Sequence, residues 1–386
     1  MSRNKNLITR EIRVGKNAAE EDAELLQACF VDHPALADAI DTDSNGSIIA
    51  GRTGSGKSAI ISYIRRTQGA ASSISPSDMA MSYIANSDVL RFLNDIGADL
   101  NLFFQAIWKH VLLIEYIRLR YQIGNEEKSA HWYTQLWNAW NSDKSKKRAL
   151  DYLKKYSSSF WISMDESVRQ VTQTYEQNIL AELGVDIEKF ASKAGYGANL
   201  SNQNKSEFVA RVRKIINSDQ LQDQSKVISL LADGDQVQKS HYILIDQLDE
   251  RWLDDNLKYR MINSLVEALQ KFRPIRNLKI IVALRTDVIE RSMQENKDSS
   301  FQREKFRDYI ININWDEGQL KELINKRIAY TFRRKYEPQR QVLFEDVFEK
   351  NIKNEKPFKY LADRTLLRPR DIIAFTNECF ISADGR

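Results

Sequence analysis

Two cysteines in 386 residues, Cys29 and Cys379, are too few and too far apart for a disulfide framework. Four histidines, at 33, 110, 131 and 241, fall in no C-x-x-C or H-E-x-x-H grouping, which excludes a structural zinc site. A bilayer requires about 20 mostly apolar residues. The most apolar stretch, Leu100 to Leu119, is interrupted by Asn101, Gln105, Lys109, His110 and Glu115, so it reads as a buried helix. The opening MSRNKNLITREIRVGKN lacks the apolar core of a signal peptide. Nor does one sign of charge dominate: 57 basic and 53 acidic residues give +4, spread along the chain, without the one-sided run of a DNA-coating protein. These absences predict a soluble, cytoplasmic chain without a membrane partner. What remains is ordinary globular composition, 42% hydrophobic and 10% aromatic. The length suits two or three domains at roughly 100–200 residues each.

Four short apolar runs punctuate a mostly helical pattern: Ser47–Ala50, Tyr242–Ile245, Ile280–Leu284 and Tyr309–Ile313. Uniformly apolar runs of this length predict strands covered on both faces, as in a parallel α/β sheet. Ala80–Ile84 is a weaker fifth candidate. Leu257, Met261, Leu265 and Leu269 form one helical face, and alternating strands and helices imply a mostly parallel central sheet. A βαβ unit needs only about 30 residues, so residues 121–240 read as a large helical insertion. Trp132, Leu136 and Trp140 share a helical face in it, Phe208, Val212, Ile215 and Ile216 another, and Gly195–Ser206 is a loop. Residues 1–120 and 241–315 then form the two parts of an α/β core. Residues 316–386 form a helical lid, with Leu320, Leu323, Ile324 and Ile328 on one face, a break at Pro338 and a last helix from Pro369.

The stretch Ile48-Ile-Ala-Gly51-Arg52-Thr53-Gly54-Ser55-Gly56-Lys57-Ser58 matches G-x-x-x-x-G-K-[ST], with an apolar run before it and a helical pattern after it. Gly51, Gly54 and Gly56 let the backbone curl so that successive N–H groups face a phosphate. The following helix adds its positive end. Lys57 supplies a point charge and Ser58 a hydroxyl for Mg²⁺. Four apolar residues then lead into Asp246, placed to hold the same metal from a neighbouring strand. Asp249 and Glu250 are both candidates for the general base, and spacing does not choose between them.

Arg285, at the tip of the next apolar run, either touches the terminal phosphate or pairs with Asp287. Arg370, in Arg368-Pro369-Arg370-Asp371, opens a helix against its dipole, so it faces either a nucleotide phosphate or the adjacent Asp371. His131-Trp132-Tyr133, Trp137 and Trp140 before Lys144, Lys146, Lys147 and Arg148 suit either single-stranded nucleic acid or the core of an amphipathic helix. Arg303, Lys305 and Arg307 are either an arginine finger reaching a neighbouring subunit or basic surface. Asn296-Lys297-Asp298 lacks the strand and spacing of a guanine-reading motif, so adenine is favoured.

Taken together, A-G-R-T-G-S-G-K-S-A, L-I-D-Q-L-D-E-R-W and R-P-R-D resemble the additional-strand division of P-loop ATPases, in its AAA+/STAND-like branch. The similarity is to stand-alone bacterial ATPases of mobile-element and phage-defence neighbourhoods, over about 45–90, 242–290 and 307–380. The resemblance implies an α/β P-loop NTPase fold with ATP and Mg²⁺ as cofactors. Gly51 to Ser58 would act as Walker A and Asp246 as Walker B, with Arg285 and Arg370 as first and second sensors. Many such ATPases carry Glu directly after the Walker B aspartate, where this chain has Gln247. The implied activity is an ATP-binding and ATP-hydrolysing switch of a mobile-element or anti-phage system, working as a homo-oligomer or on an effector protein. A nucleic-acid motor or DNA loader, and a nucleotide-gated scaffold without turnover, are the alternatives.

Overall fold

A computed structural model describes residues 11–16, 22–76, 81–98, 100–122, 144–156, 164–184, 206–207, 209–212, 219–233, 239–249, 255–295, 306–336, 340–348 and 351–383. Among the described residues there are five strands: β1 Ile48–Gly51, β2 Ala71–Ile74, β3 His241–Ile245, β4 Leu278–Arg285 and β5 Ile310–Asn312. They form one all-parallel sheet in the order β2-β3-β4-β1-β5. The strand of the glycine-rich motif is therefore interior, and β4 separates it from the strand ending at Asp246.

The helices are α1 Ala23–Ala28, α2 Pro34–Ile40, α3 Lys57–Thr67, α4 Met81–Asn86, α5 Asp88–Asp95 and α6 Asn101–Tyr121. Next come α7 Lys144–Tyr156, α8 Met164–Leu183, α9 Asp219–Asp233, α10 Asp255–Phe272 and α11 Thr286–Glu295. The chain ends with α12 Glu317–Tyr336, α13 Phe344–Val347, α14 Pro357–Ala362 and α15 Pro369–Ala383.

Alternation along the strands sorts their side chains onto two covered faces. Ile48, Ala50, Ile243, Ile245, Ile280 and Val282 enter one core with α6 and α10, while Ile49, Leu244, Ile281, Ala283, Ile311 and Ile313 enter another with α2 and α3. Leu257, Met261, Leu265 and Leu269 of α10 are all buried, as their spacing predicts. Helix α6 is buried nearly all round because the sheet covers one side and α8 and α9 the other; Trp108 is fully enclosed and its indole donates to Met261 O at 2.9 Å. Residues of α7, α8 and α9 share that apolar core with the sheet face. Among the described residues, no helix is long and apolar enough to cross a membrane.

One predicted strand is wrong. Ala80–Ile84 does not pair: Met81–Asn86 is helix α4, and the fifth strand is β2, Ala71–Ile74, on the sheet edge. β2 carries Ser72 and Ser73 toward less buried surroundings, so it shows none of the apolar density that marks the interior strands. Trp132, Tyr133, Leu136, Trp137 and Trp140, with Phe208, Ile215, Ile216, Asn296 to Asp298 and Pro338, lie outside the described residues, as does most of Gly195–Ser206.

The C-terminal helices α12 to α15 have their own core, and its contents are not all local. Ile12, Val14 and Val31 are buried among Leu320, Ile324, Phe344 and Phe380. The segment is tied by polar bonds as well: Asn377 accepts from Val14 N at 2.9 Å and donates to Gly15 O at 2.8 Å. Arg327, itself buried, donates to Val14 O at 2.9 Å and pairs with Asp22 at 2.5 Å. At Gly15, φ is +138° and an added Cβ would lie 1.9 Å from the Arg327 guanidinium, so no side chain fits there.

Removing the carboxylate in Asp22→Ala leaves a buried guanidinium without its counter-charge. The expected cost is about 3–5 kcal/mol, read as a lower urea midpoint for the C-terminal unit. A midpoint within error of the parent would contradict this.

Candidate functional site

β1 ends at Gly51 and α3 begins at Lys57, so the loop between them must reverse direction in five residues. It does so with Gly54 at φ +81° and Gly56 at φ +98°, conformations that cost other residues about 1–2 kcal/mol. Ser55 N closes the turn on Arg52 O at 3.1 Å. No hydrogen bond to the amides of Gly54, Gly56, Lys57 or Ser58 is present among the described residues. These orphan donors gather where the positive end of α3 emerges.

Lys57 folds back over its own loop, its ammonium donating to Gly51 O at 3.1 Å and Arg52 O at 3.2 Å. Burial lowers the Lys57 pKa, opposed by the carboxylates of Asp249 and Asp246. Thr53, Gly54, Gly56, Lys57 and Ser58 line a cavity of about 550 Å³, and Asp246, Asp249, Arg285 and Arg370 line it too. Gly51, Arg52 and Ser55 belong to the loop but not to the lining; the buried Ser55 hydroxyl has no hydrogen-bond partner. Four chain segments thus bring nine of the residues singled out by sequence to one site. Glu250 lies outside the described residues, as do Arg303 and Lys305; Arg307 is exposed and away from the lining.

The acidic strand ends in an unusual way. Asp246 Oδ1 accepts from Gln247 N at 2.8 Å, and Gln247 adopts φ +67°, a left-handed conformation rare for a residue other than glycine. That turn brings Gln247 and Asp249 into the lining alongside Asp246.

The two arginine alternatives resolve differently. Arg285 Nε donates to Asp287 Oδ1 at 2.9 Å and its terminal nitrogen to Oδ2 at 2.5 Å, with Asp249 4.0 Å away. Arg285 therefore takes the Asp287 option while still lining the cavity. Asp371, however, belongs to Arg368, at 2.6 Å, and not to Arg370. The Arg370 stem instead packs on Gly54, where an added Cβ would come within 2.9 Å of Arg370 Cβ.

The lining also has an apolar part, Leu26, Phe30, Val31, Ile60, Leu323 and Ile373, with the paired Asp22 and Arg327 and with Lys16 in the same lining. Cys29 lies there also, its thiol pushed by burial up to about 11, so it remains protonated rather than nucleophilic. His33 also lines the cavity: Nδ1 accepts from Ala35 N at 3.0 Å while Nε2 lies 2.9 Å from Asn314 O, an arrangement suited to an imidazole whose Nε2–H donates to that carbonyl. Sequence reasoning missed the His33 and Trp315 walls. His33 stands 18 residues before Gly51 and Trp315 stands 260 after Ser55, with no local pattern to mark either. Among the described residues, no group of three or more His, Cys, Asp or Glu is arranged to hold a metal ion.

Comparison with known proteins bears on two features. The family described as the FunZ-associated C-terminal helical domain matches residues 318–386, the helices α12 to α15. Over 396 aligned positions the chain is 25% identical to the putative transposon gamma-delta 80.3 kDa protein of Escherichia coli (strain K12), covering 98% of this chain and 48% of that protein. The chain thus spans about half the length of that relative. The name of that relative ties it to a transposon. No solved structure matches.

Gly54→Ala forces a Cβ into Arg370 and into a left-handed backbone at once. The expected loss is about 1–2 kcal/mol from the backbone alone, with faster hydrogen exchange in residues 52–58. An unaltered denaturation midpoint would show that the loop relaxes freely and that the contact with Arg370 is incidental.

Proposed function

We propose that the protein is an ATP-binding and ATP-hydrolysing switch of a mobile-element system, of the P-loop, AAA+/STAND-like kind. The observation that carries the reading is the buried Lys57 ammonium beside orphan loop amides, at the mouth of a cavity shared with Asp246. A buried cation and four free N–H groups at a helix start suit an anion with several oxygens. The apolar lining residues, Phe30, Ile60 and Ile373 among them, suit the faces of a flat base. The place of β4 between the motif strand and the acidic strand supports assignment to the additional-strand division.

For a metal ion the fit is partial by design. Ser58 and Asp246 line the cavity together, and Mg²⁺ commonly takes only one or two protein oxygens, with phosphate and water supplying the rest. Bound there, Mg²⁺ would neutralise charge developing on the phosphate oxygens. Lys57 would leave its two carbonyls for phosphate oxygens. Asp249, lining the cavity and 4.0 Å from Arg285, is the described candidate for receiving a proton from water. Gln247 reaches the same cavity, and a neutral amide can orient water without taking its proton. Arg370 would stabilise the phosphates from the C-terminal unit, whose attachment to the loop makes it responsive to occupancy.

Titration calorimetry of Lys57→Ala with ATP·Mg²⁺ tests the binding reading. Loss of productive binding is expected with the fold retained; parental affinity would overturn it. Asp246→Asn is expected to keep nucleotide binding, lose most of its Mg²⁺ dependence and stop turnover. Parental hydrolysis by that variant would make Asp246 a structural strand end. Phosphate release stimulated by DNA would favour the motor alternative, and tight binding without release the scaffold.

A further inference from the structure

The outer side of the glycine-rich loop is held by the C-terminal third of the chain. Three successive loop carbonyls each accept a hydrogen bond from it. Thr53 O receives the Arg368 guanidinium at 3.5 Å, Gly54 O the backbone N–H of Arg370 at 3.3 Å, and Ser55 O the Trp315 indole N–H at 2.7 Å. The indole bond is the shortest of the three. The same residues cover the two left-handed glycines: Arg370 packs on Gly54, and the Trp315 ring lies 3.7 Å from the position of a Cβ on Gly56.

A trans peptide points its carbonyl and its N–H in opposite directions. Fixing the carbonyls of 53 and 55 toward the C-terminal unit therefore turns the amides of Gly54 and Gly56 away from it, leaving them among the orphan donors of the site. Trp315 is itself well anchored for this. It sits between β5 and α12, half-buried, packed against both the α2–α3 face of the sheet and the C-terminal core. His33 holds the preceding carbonyl, Asn314 O, and its ring lies 5.3 Å from the indole.

We propose that Trp315 is a positioning residue for this loop, its indole N–H on Ser55 O setting the loop in an anion-receiving shape and tying that shape to the C-terminal helical unit. The inference rests on the reading of the loop as a phosphate site. It goes beyond that reading in placing control of the loop on a residue that makes no motif. An anion entering the loop would strengthen its attachment to the C-terminal unit, and displacement of that unit would weaken the anion's hold, because coupling of this kind is reciprocal.

The test is Trp315→Phe, which keeps an aromatic ring at this position while removing the indole donor and part of the ring surface facing Gly56. Affinity is measured by calorimetry for ATP·Mg²⁺ and for inorganic tripolyphosphate, which has no base to meet the rest of the cavity. The loss of one neutral hydrogen bond corresponds to about three- to tenfold in an equilibrium constant. Both ligands are expected to weaken by a factor in that range. Hydrogen exchange of the ligand-free variant is expected to quicken in residues 53–58 and stay parental across α12 to α15. Unchanged affinity for tripolyphosphate overturns the proposal, and so does accelerated exchange spread over the C-terminal helices, which would make Trp315 a packing residue. If the parent protein binds neither ligand, the phosphate-site reading itself fails. If the parent binds both and Trp315→Phe binds them equally, only the positioning role fails.

Discussion

The Lys57 ammonium is the charge around which the cavity is organised. Taking it out of water is unfavourable, and two carbonyls of its own loop, Gly51 O and Arg52 O, offset part of that cost. Those bonds require the loop to curl, which requires left-handed backbone at Gly54 and Gly56. The remaining compensation comes from across the sheet, where Asp249 and Asp246 oppose the burial of the lysine. A single buried cation therefore links the loop after β1 to the turn after β3. Arg285, paired with Asp287 at the strand end, lines the same cavity, and its charge and that of Arg370 add to the lowering of the Lys57 pKa.

The C-terminal helices are joined to this centre at both ends of the chain. Ile12 and Val14 complete their core, and the Asp22–Arg327 pair and Asn377 fix the segment that supplies them. On the opposite side Trp315, Arg368 and Arg370 grip the glycine-rich loop. A buried ion pair is weak evidence for stability but fixes register well. Here it aligns α12 with the segment entering α1, and α1 with α12 forms one wall of the cavity through Leu26 and Leu323. Rearrangement of the C-terminal unit cannot leave the cavity unchanged, since that unit supplies part of the wall and part of the loop's support.

How much of this was legible in the sequence depended on range. Interior strands announced themselves because both faces are covered, so β1, β3 and β4 each carry an apolar run, Ile48–Ala50, Tyr242–Ile245 and Ile280–Leu284. The edge strand β2, Ala-Ser-Ser-Ile, carries no such signal, and Ala80–Ile84 imitated one while forming helix. The loop, Lys57 and Asp246 were legible because their chemistry constrains neighbouring residues. Arg368 and Arg370 were legible as a pair but not in their division of labour: one residue's difference along the chain decides which meets Asp371 and which meets Gly54. Trp315 and His33 could not be read at all, because each acts through a backbone carbonyl, and a carbonyl leaves no trace in the residue it belongs to.

The same limit applies to the domain boundary. The matched helical family begins at residue 318, one residue into α12 and three after Trp315. In space the unit is larger than that match, since its core is incomplete without Ile12, Val14 and Val31. A segment that ends one layer of the molecule and begins another is where a sequence-defined domain most easily loses residues that belong to it. Trp315 is such a residue, packed at once against the sheet layer and the C-terminal core. The C-terminal helical unit and the glycine-rich loop therefore share a physical boundary rather than a linker. A conformational signal crossing that boundary has a short path: an indole, an amide and a guanidinium on three consecutive carbonyls.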